Sequence, residues 1–389
     1  MSPMLLASSN VNLAAPWTVE LVWYLLGAGL LAYVLTAGAD FGAGVWDLLA
    51  SGSRAKAQRA AIEHSIAPIW EANHVWLIFV IVVVFTVFPD AFATLSIALH
   101  VPLLLVLFGI VMRGSAFVFR AYSLAPEATK SRWGRVFAWA SSVTPVFLGM
   151  TLGGMSSGRI QVANHVVTSG FWAGWTTPFA IALGLFTLAL FALLAAAYLC
   201  ADGPPILRWD FKIRAVAAEV VAGLLGLVAL WRVRIDAPLL WERMSELGAF
   251  WPSQLAAGAL AVIAFLSLAL EHFRVARVLV VLQVALVVSL WGWAMDGDLI
   301  LNAANIHSSG ARAETVKGVL PALVIGFSLC LPALAYLFRV FRSASEEYER
   351  RVLESVAASA AAPTIDGTLP ASEGGSPPEP VVQQAKRIL

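Results

Sequence analysis

Charge is what this sequence has least of. Aspartate, glutamate, lysine and arginine make up 13% of its 389 residues, against 60% hydrophobic; a soluble domain carries about 25% charged residues. With a mean hydropathy of +0.81, the chain falls among polytopic membrane proteins. The two signs nearly cancel, leaving a net charge of +1, so no nucleic-acid partner is implied. Cysteine is almost absent. Cys200 and Cys330 lie at or within apolar runs, without CxxC or CxxCH spacing. A disulfide framework, a zinc finger and covalent c-type haem attachment are therefore unsupported. The sequence also lacks a metal-ligand spacing, a Walker loop and a nucleophile–base pair. Tryptophan, by contrast, is plentiful. Of fifteen, Trp17, Trp23, Trp172, Trp175, Trp241 and Trp251 lie near the ends of apolar runs, which suits interfacial anchoring.

Against this background the stretch Ser65 to Pro89, SIAPIWEANHVWLIFVIVVVFTVFP, stands out. Its first third carries Glu71, Asn73, His74 and Trp76, and the rest has neither charge nor amide. A helix beginning near Ser65 places Glu71 one to two turns inside it. A charge at the centre of a membrane helix costs about 2.5–3.5 kcal/mol on insertion scales, so such a group should face protein or water. At 100° per residue Glu71, His74 and Ile78 share one face, with Asn73 and Trp76 roughly opposite. Polar groups on two faces predict a helix enclosed in a bundle.

Taken in order, residues 1–16 form a short N-terminus without the basic region of a signal peptide. Nine apolar helices follow within residues 17–342. They are predicted at about Trp17–Ala37, Ser65–Phe88, Ala91–Met112, Val136–Met155, Trp172–Cys200, Ala215–Trp231, Ser253–Leu270, Val278–Ala294 and Gly318–Phe338. Phe88-Pro89-Asp90 reads as a tight turn, and Pro178 as a kink in the fifth helix. Gly38, Gly42 and Gly44 permit close backbone approach after the first helix, with Asp40 at its end. Residues 343–389 read as a tail with a short amphipathic start, then Ala/Pro/Gly/Ser-rich sequence expected to be disordered.

Nine crossings put the termini on opposite faces. One set of loops carries fifteen Lys and Arg and the other six. The positive-inside rule then places the N-terminus outside and the C-terminus in the cytoplasm. Asp40, Glu71, His74 and Arg113 all fall toward cytoplasmic helix ends.

Two readings of this cluster stay open. Glu71, with Asp40 and His74, can form the intramembrane part of a proton uptake route, since carboxylates and imidazole bind and release protons in a wet crevice. Alternatively Asp40 or Glu71 pairs with Arg113 in a structural network. Arg113 itself suits pairing or anchoring, because a guanidinium does not give up its proton. His100 falls near the middle of the third helix. It reads as a packing residue, with haem ligation as the alternative. His165 and His307 fall in outer loops and His272 at an inner helix end.

The motifs TAGADFGAGVW, SIAPIWEANHVWL, the FP turn and RGSAFVFR, in that order, resemble subunit II of cytochrome bd-type quinol oxidases. The match is specific over the first 120 residues. It continues through TPFAIALGL to the ninth helix in spacing and hydropathy, and stops at about Glu347. The resemblance implies an all-α polytopic fold of nine transmembrane helices, in two four-helix bundles plus one peripheral helix, in the bacterial inner membrane. It implies a heterodimer with subunit I, which carries the quinol site, two haems b and a further haem d or b. The complex would oxidise quinol at the outer face and reduce dioxygen to water with cytoplasmic protons. This chain would bear no cofactor, stabilise subunit I, and contribute to a proton route and, in some members, an oxygen route.

Residue by residue, Glu71 stands at the acidic position of the family's W-D/E-x-N motif, with Asn73 and Trp76 at its Asn and Trp. Asp40 matches the second acid of a DGxD-like motif whose first acid is Ala37 here, so a role needing two carboxylates at that point is not carried over. Trp76 and Asn73 are candidates for an oxygen path or for packing. Membrane lipids and quinone are expected partners, with room for a small single-helix accessory subunit. A proton-coupled membrane transporter is the alternative function. Paired interrupted helices in the two halves would favour it.

Overall fold

Helices follow the apolar runs but overshoot them at almost every end. The computed structural model describes residues 15–122, 126–164 and 166–361, the side chains of 64–72, 121–122, 127, 337–338 and 340–361 excepted. Helix α1 (Pro16–Leu48) runs eleven residues past the predicted end at Ala37. Its three late glycines do not break it, because each costs only about 1 kcal/mol relative to alanine and close packing offsets that. A Cβ on Gly42 would lie 1.8 Å from the Phe191 carbonyl oxygen, and one on Gly44 would lie 2.2 Å from Ser141 Cβ. Helix α2 (Ala55–Val87) likewise begins ten residues before the predicted start. AKAQRAAIEH is built from strong helix formers, and an apolar run marks where a helix is buried rather than where it starts. Glu71 therefore lies near the middle of α2, not one or two turns from its end.

Further on come α3 (Pro89–Ala98), α4 (His100–Tyr122), α5 (Glu127–Ser156), α6 (Pro178–Asp202), α7 (Arg208–Asp236), α8 (Pro238–Glu246), α9 (Phe250–Ala269), α10 (Phe273–Met295) and α11 (Ala313–Ala361). Among the described residues eight helices are long and apolar enough to cross a membrane. The pair Asn73–Val87 and Pro89–Ala98, bent by 114°, makes a ninth if it is one span.

Packing divides the helices into two four-helix bundles. In the first, α1 packs on α2 and α5, and α4 on α5, with α3 linking α2 to α4. In the second, α6 packs on α7 and α10, and α9 on both of these. The bundles meet where α6 lies against α1 and α5, with Trp46 Nε1 donating to the Ala192 carbonyl oxygen at 2.8 Å. The most enclosed span is thus α6, with 67% of its apolar window buried, whereas α11 buries none of its own and lies peripherally on α2 and α1. Helix α2 is not enclosed within this chain, contrary to its polar pattern. Val75, Ile78, Val82 and Phe85 stay exposed along one face while Asn73 is buried on another.

Three local features depart from the sequence reading. The third predicted helix is split, with α3 ending at Ala98 and α4 starting at His100, so His100 sits at a helix junction. Pro102, in the first turn of α4, is tolerated there because a helix start leaves that N–H unused anyway. Pro178 is likewise the first residue of α6 rather than a kink, and Thr177 Oγ1 caps the helix by accepting from Ala180 N at 3.2 Å. Finally, two short hairpins, β1 (Val162–Ala163) with β2 (Val166–Val167) and β3 (Asp298–Ile300) with β4 (Ala304–Asn305), form at one end of the bundles. Asn164 and Asn302 take the positive φ that turns the chain there. Helix α11 continues past Arg342 to Ala361. Residues 362–389, 1–14 and His165 lie outside the described residues.

Candidate functional site

Away from the hairpins, α1, α2, α4 and α5 converge on one buried polar knot. Asp40 is fully buried on α1, and Arg113 on α4 is 3% exposed. The Arg113 guanidinium pairs with Asp40 Oδ1, and its Nε donates to Ser141 Oγ on α5 at 2.9 Å. Asn73 Nδ2 on α2 donates to Asp40 Oδ2. The guanidinium lies over the rings of Phe41 and Phe137, at 4.8 and 5.0 Å from their centroids. The local sequence explains the meeting. Gly44 lets α1 approach α5 at Ser141, and Gly109 lets α4 approach α5 at Thr144. Two charges, an amide and a hydroxyl thus tie four helices, with aromatic faces screening the cation.

A second layer lies seven residues further along both helices, two turns on the same face. Arg120 on α4 pairs with Asp47 on α1 at 3.1 Å and with Glu63 on α2 at 3.2 Å. Between the layers, Asp47, Ile62, Glu63, Phe117, Arg120 and Phe137 line a cavity of about 10 Å³, close to the smallest that holds one water. Outward from this layer an open cleft of about 320 Å³ is lined by Ser51, Gly52, Arg54, Gln58, Asp210 and Arg214. There Asp210 of α7 accepts from Arg54 at 2.6 Å and from Gln58 at 2.9 Å.

Residues 18–341 match the profile of the family described as cytochrome bd terminal oxidase subunit II. The chain belongs to that family. It is 26% identical over 184 residues to the cytochrome bd-I ubiquinol oxidase subunit 2 of Escherichia coli K12, covering 46% of this chain and 47% of that one. It is 29% identical over 134 residues to the cytochrome bd ubiquinol oxidase subunit 2 of Bacillus subtilis, covering 33% and 38%. The aligned stretches thus span at most about half the length of these curated relatives. In fold it resembles a chain of the bd oxidase from Geobacillus thermodenitrificans, with a TM-score of 0.70 at 18% identity over 84% of this chain and 98% of that one.

Within this bd oxidase subunit II fold, the candidate residues separate. Asp40, Asn73 and Arg113 are brought together. His74, half-buried on α2, lies near enough to Asp40 to act on it electrostatically. The Glu71 side chain is outside the described residues. Trp76 packs against the cluster of Tyr33, Phe41 and Phe191, with its ring 6.2 Å from that of Phe327 on α11. His100 places Nδ1 2.7 Å from the Ile97 carbonyl oxygen and packs edge-on against Phe171.

Sequence reasoning left out Ser141, Asp47, Glu63 and the Glu219–Gln283 pair joining α7 to α10. Two of these had a signal. Asp40/Asp47 and Arg113/Arg120 share a seven-residue spacing, and Glu219 is a lone carboxyl inside an apolar run, as Glu71 is. Ser141 had none, since a serine in a helix gives no hint of its partner.

Proposed function

We propose that this chain is the haem-free second subunit of a bacterial quinol oxidase that couples quinol oxidation to reduction of dioxygen to water. The observation carrying this reading is the family match over residues 18–341. Haems b and d, or b alone, belong on subunit I in this reading. The transporter reading is weaker. The one strongly bent helix pair, α2 with α3, has no counterpart in the second bundle among the described residues.

The polar layers suggest how the chain serves that activity. Asp40 and Arg113 act as a clamp, because the arginine can give up no proton. Proton uptake runs beside the clamp. It starts at the end where Lys and Arg are densest, taken as cytoplasmic, with the N-terminus outside. From there it passes the Asp47–Glu63–Arg120 layer with its water-sized cavity, then Glu71 and His74. Position 71 falls on the helix face that also carries exposed Val75, Ile78, Val82 and Phe85. A carboxylate there would pass its proton across the boundary with subunit I. Trp76, wedged between α2 and α11, packs rather than lining an oxygen path.

Glu71→Gln tests the route, because it keeps shape and hydrogen bonding but removes the titrating proton. Oxygen consumption per haem in the purified complex should fall about 10²-fold or more, the lower range of what a positioned proton-transfer group contributes. Assembly and haem content should stay unchanged, and Glu71→Asp should keep much of the activity. Normal turnover per haem in Glu71→Gln would end the proton-route reading while leaving the subunit assignment standing.

A further inference from the structure

Five carboxyl groups are buried among the described residues: Asp40, Asp47, Glu219, Asp236 and Asp298. Four of them face an arginine, namely Arg113, Arg120, Arg232 and Arg243 in that order for the four aspartates. Glu219 faces none. It is 4% exposed on α7, and its hydrogen-bond partner is Gln283 on α10, itself 6% exposed. Gln283 Nε2 donates to Glu219 Oε1 at 3.0 Å. The remaining two oxygens, Glu219 Oε2 and Gln283 Oε1, are buried out of reach of water and have no partner.

Donor counting shows what this arrangement needs. A carboxylate only accepts, and an amide oxygen only accepts. If Glu219 were ionised, both orphan oxygens would stay unsatisfied beside an uncompensated charge, the costliest form of burial. One proton removes both faults. As a carboxylic acid, Glu219 donates from Oε2 to Gln283 Oε1 while Gln283 Nε2 donates to Oε1. Acid and primary amide then close a ring through two antiparallel hydrogen bonds, with no net charge. The position fits such a latch, because α7 and α10 stand on the diagonal of the second bundle, both packed on α6 and α9.

We propose that Glu219 and Gln283 form a buried proton-binding site at the core of the second bundle, in which Glu219 is held as a carboxylic acid closed into a ring with the Gln283 amide. The proton stays in place during turnover, since among the described residues no hydrogen bond or ion pair joins the two side chains to another titratable group.

Infrared spectroscopy of the purified full-length complex tests this. The difference spectrum of wild type minus Glu219→Gln should contain a carboxylic-acid C=O band that shifts in D2O. Carboxylate bands alone in that difference would overturn the proposal. Glu219→Gln should also assemble as wild type does, because two amides close the same ring. Failure of this neutral isostere to assemble would show that the charge is needed, and would equally overturn it. Gln283→Leu should move the acid band to higher frequency by removing its hydrogen-bond partner, and an unmoved band would refute the pairing. If Gln283→Leu does not assemble, Gln283→Glu serves instead. A second acid band supports the ring, and new carboxylate bands contradict it. None of these readouts depends on oxidase activity, so the site stands or falls apart from the proton route.

Discussion

The two bundles solve one problem with different chemistry. Each has a polar contact across its diagonal: Asp40 of α1 with Arg113 of α4 in the first, and Glu219 of α7 with Gln283 of α10 in the second. The first is ionic and reinforced from every side. Asn73 and Ser141 add hydrogen bonds, two aromatic rings cover the cation, and a second Asp–Arg layer lies two turns away. The second is a single pair of side chains, with no ion pair to either of them among the described residues. A charge inside a membrane bundle is kept only where several groups share the cost of burying it. Where they are missing, the group gives up its charge. The first bundle therefore keeps its charges, and the proposed latch in the second is neutral.

The contrast can be broken most severely at Arg113. Arg113→Met leaves Asp40 buried and unpaired, and removing one partner of a buried pair costs about 3–5 kcal/mol. The complex should lose most of its assembly, measured as subunit yield after purification. Asp40→Asn combined with Arg113→Met should recover much of it. A single variant as stable as wild type would mean that the clamp does not hold the first bundle.

A smaller effect is expected where the bundles meet. Gly42→Ala places a Cβ against the Phe191 backbone of α6, which cannot retreat as a side chain tip can. Overpacking of this kind costs about 1–3 kcal/mol. Thermal unfolding of the complex should shift down, whereas Gly27→Ala, with nothing nearby, should not lower it. Equal shifts would mean that the contact between α1 and α6 is not the constraint.

The smallest effect sharpens the comparison by removing charge without burial. Arg277 and Asp202 meet at 2.5 Å with side-chain exposures of 31% and 61%. Arg277→Ala should cost under about 1 kcal/mol, as exposed pairs do, with a melting point close to wild type. A loss as large as that of Arg113→Met would contradict the view that burial, not ion pairing itself, makes the clamp matter.

Much of the fold was legible because a membrane permits few structures. Long apolar runs must become helices whose backbone groups satisfy themselves, so the positions of the main spans followed from hydropathy. Helix ends were not legible, since AKAQRAAIEH extends α2 by propensity rather than by hydropathy. Pro178 read as a kink but serves as a helix start, because a missing N–H costs nothing in a first turn. Of the site, the sequence singled out Asp40, Asn73 and Arg113 on three helices, with pairing of Asp40 or Glu71 to Arg113 as one of two open readings. It offered Asn73 for an oxygen path or for packing, and in the structure the Asn73 amide donates to Asp40.

By itself, then, the sequence determined that this chain spans a membrane, roughly where it does so, and that its few intramembrane polar residues must matter, since each is costly unless satisfied. Only the tertiary structure decided which of them satisfy one another. Partners lie tens of residues apart, 73 between Asp40 and Arg113 and 64 between Glu219 and Gln283. Helical periodicity fixes the face of each residue, but the neighbour on that face is set by how glycines and bulky side chains let helices approach. That is a property of packing, which no local pattern contains.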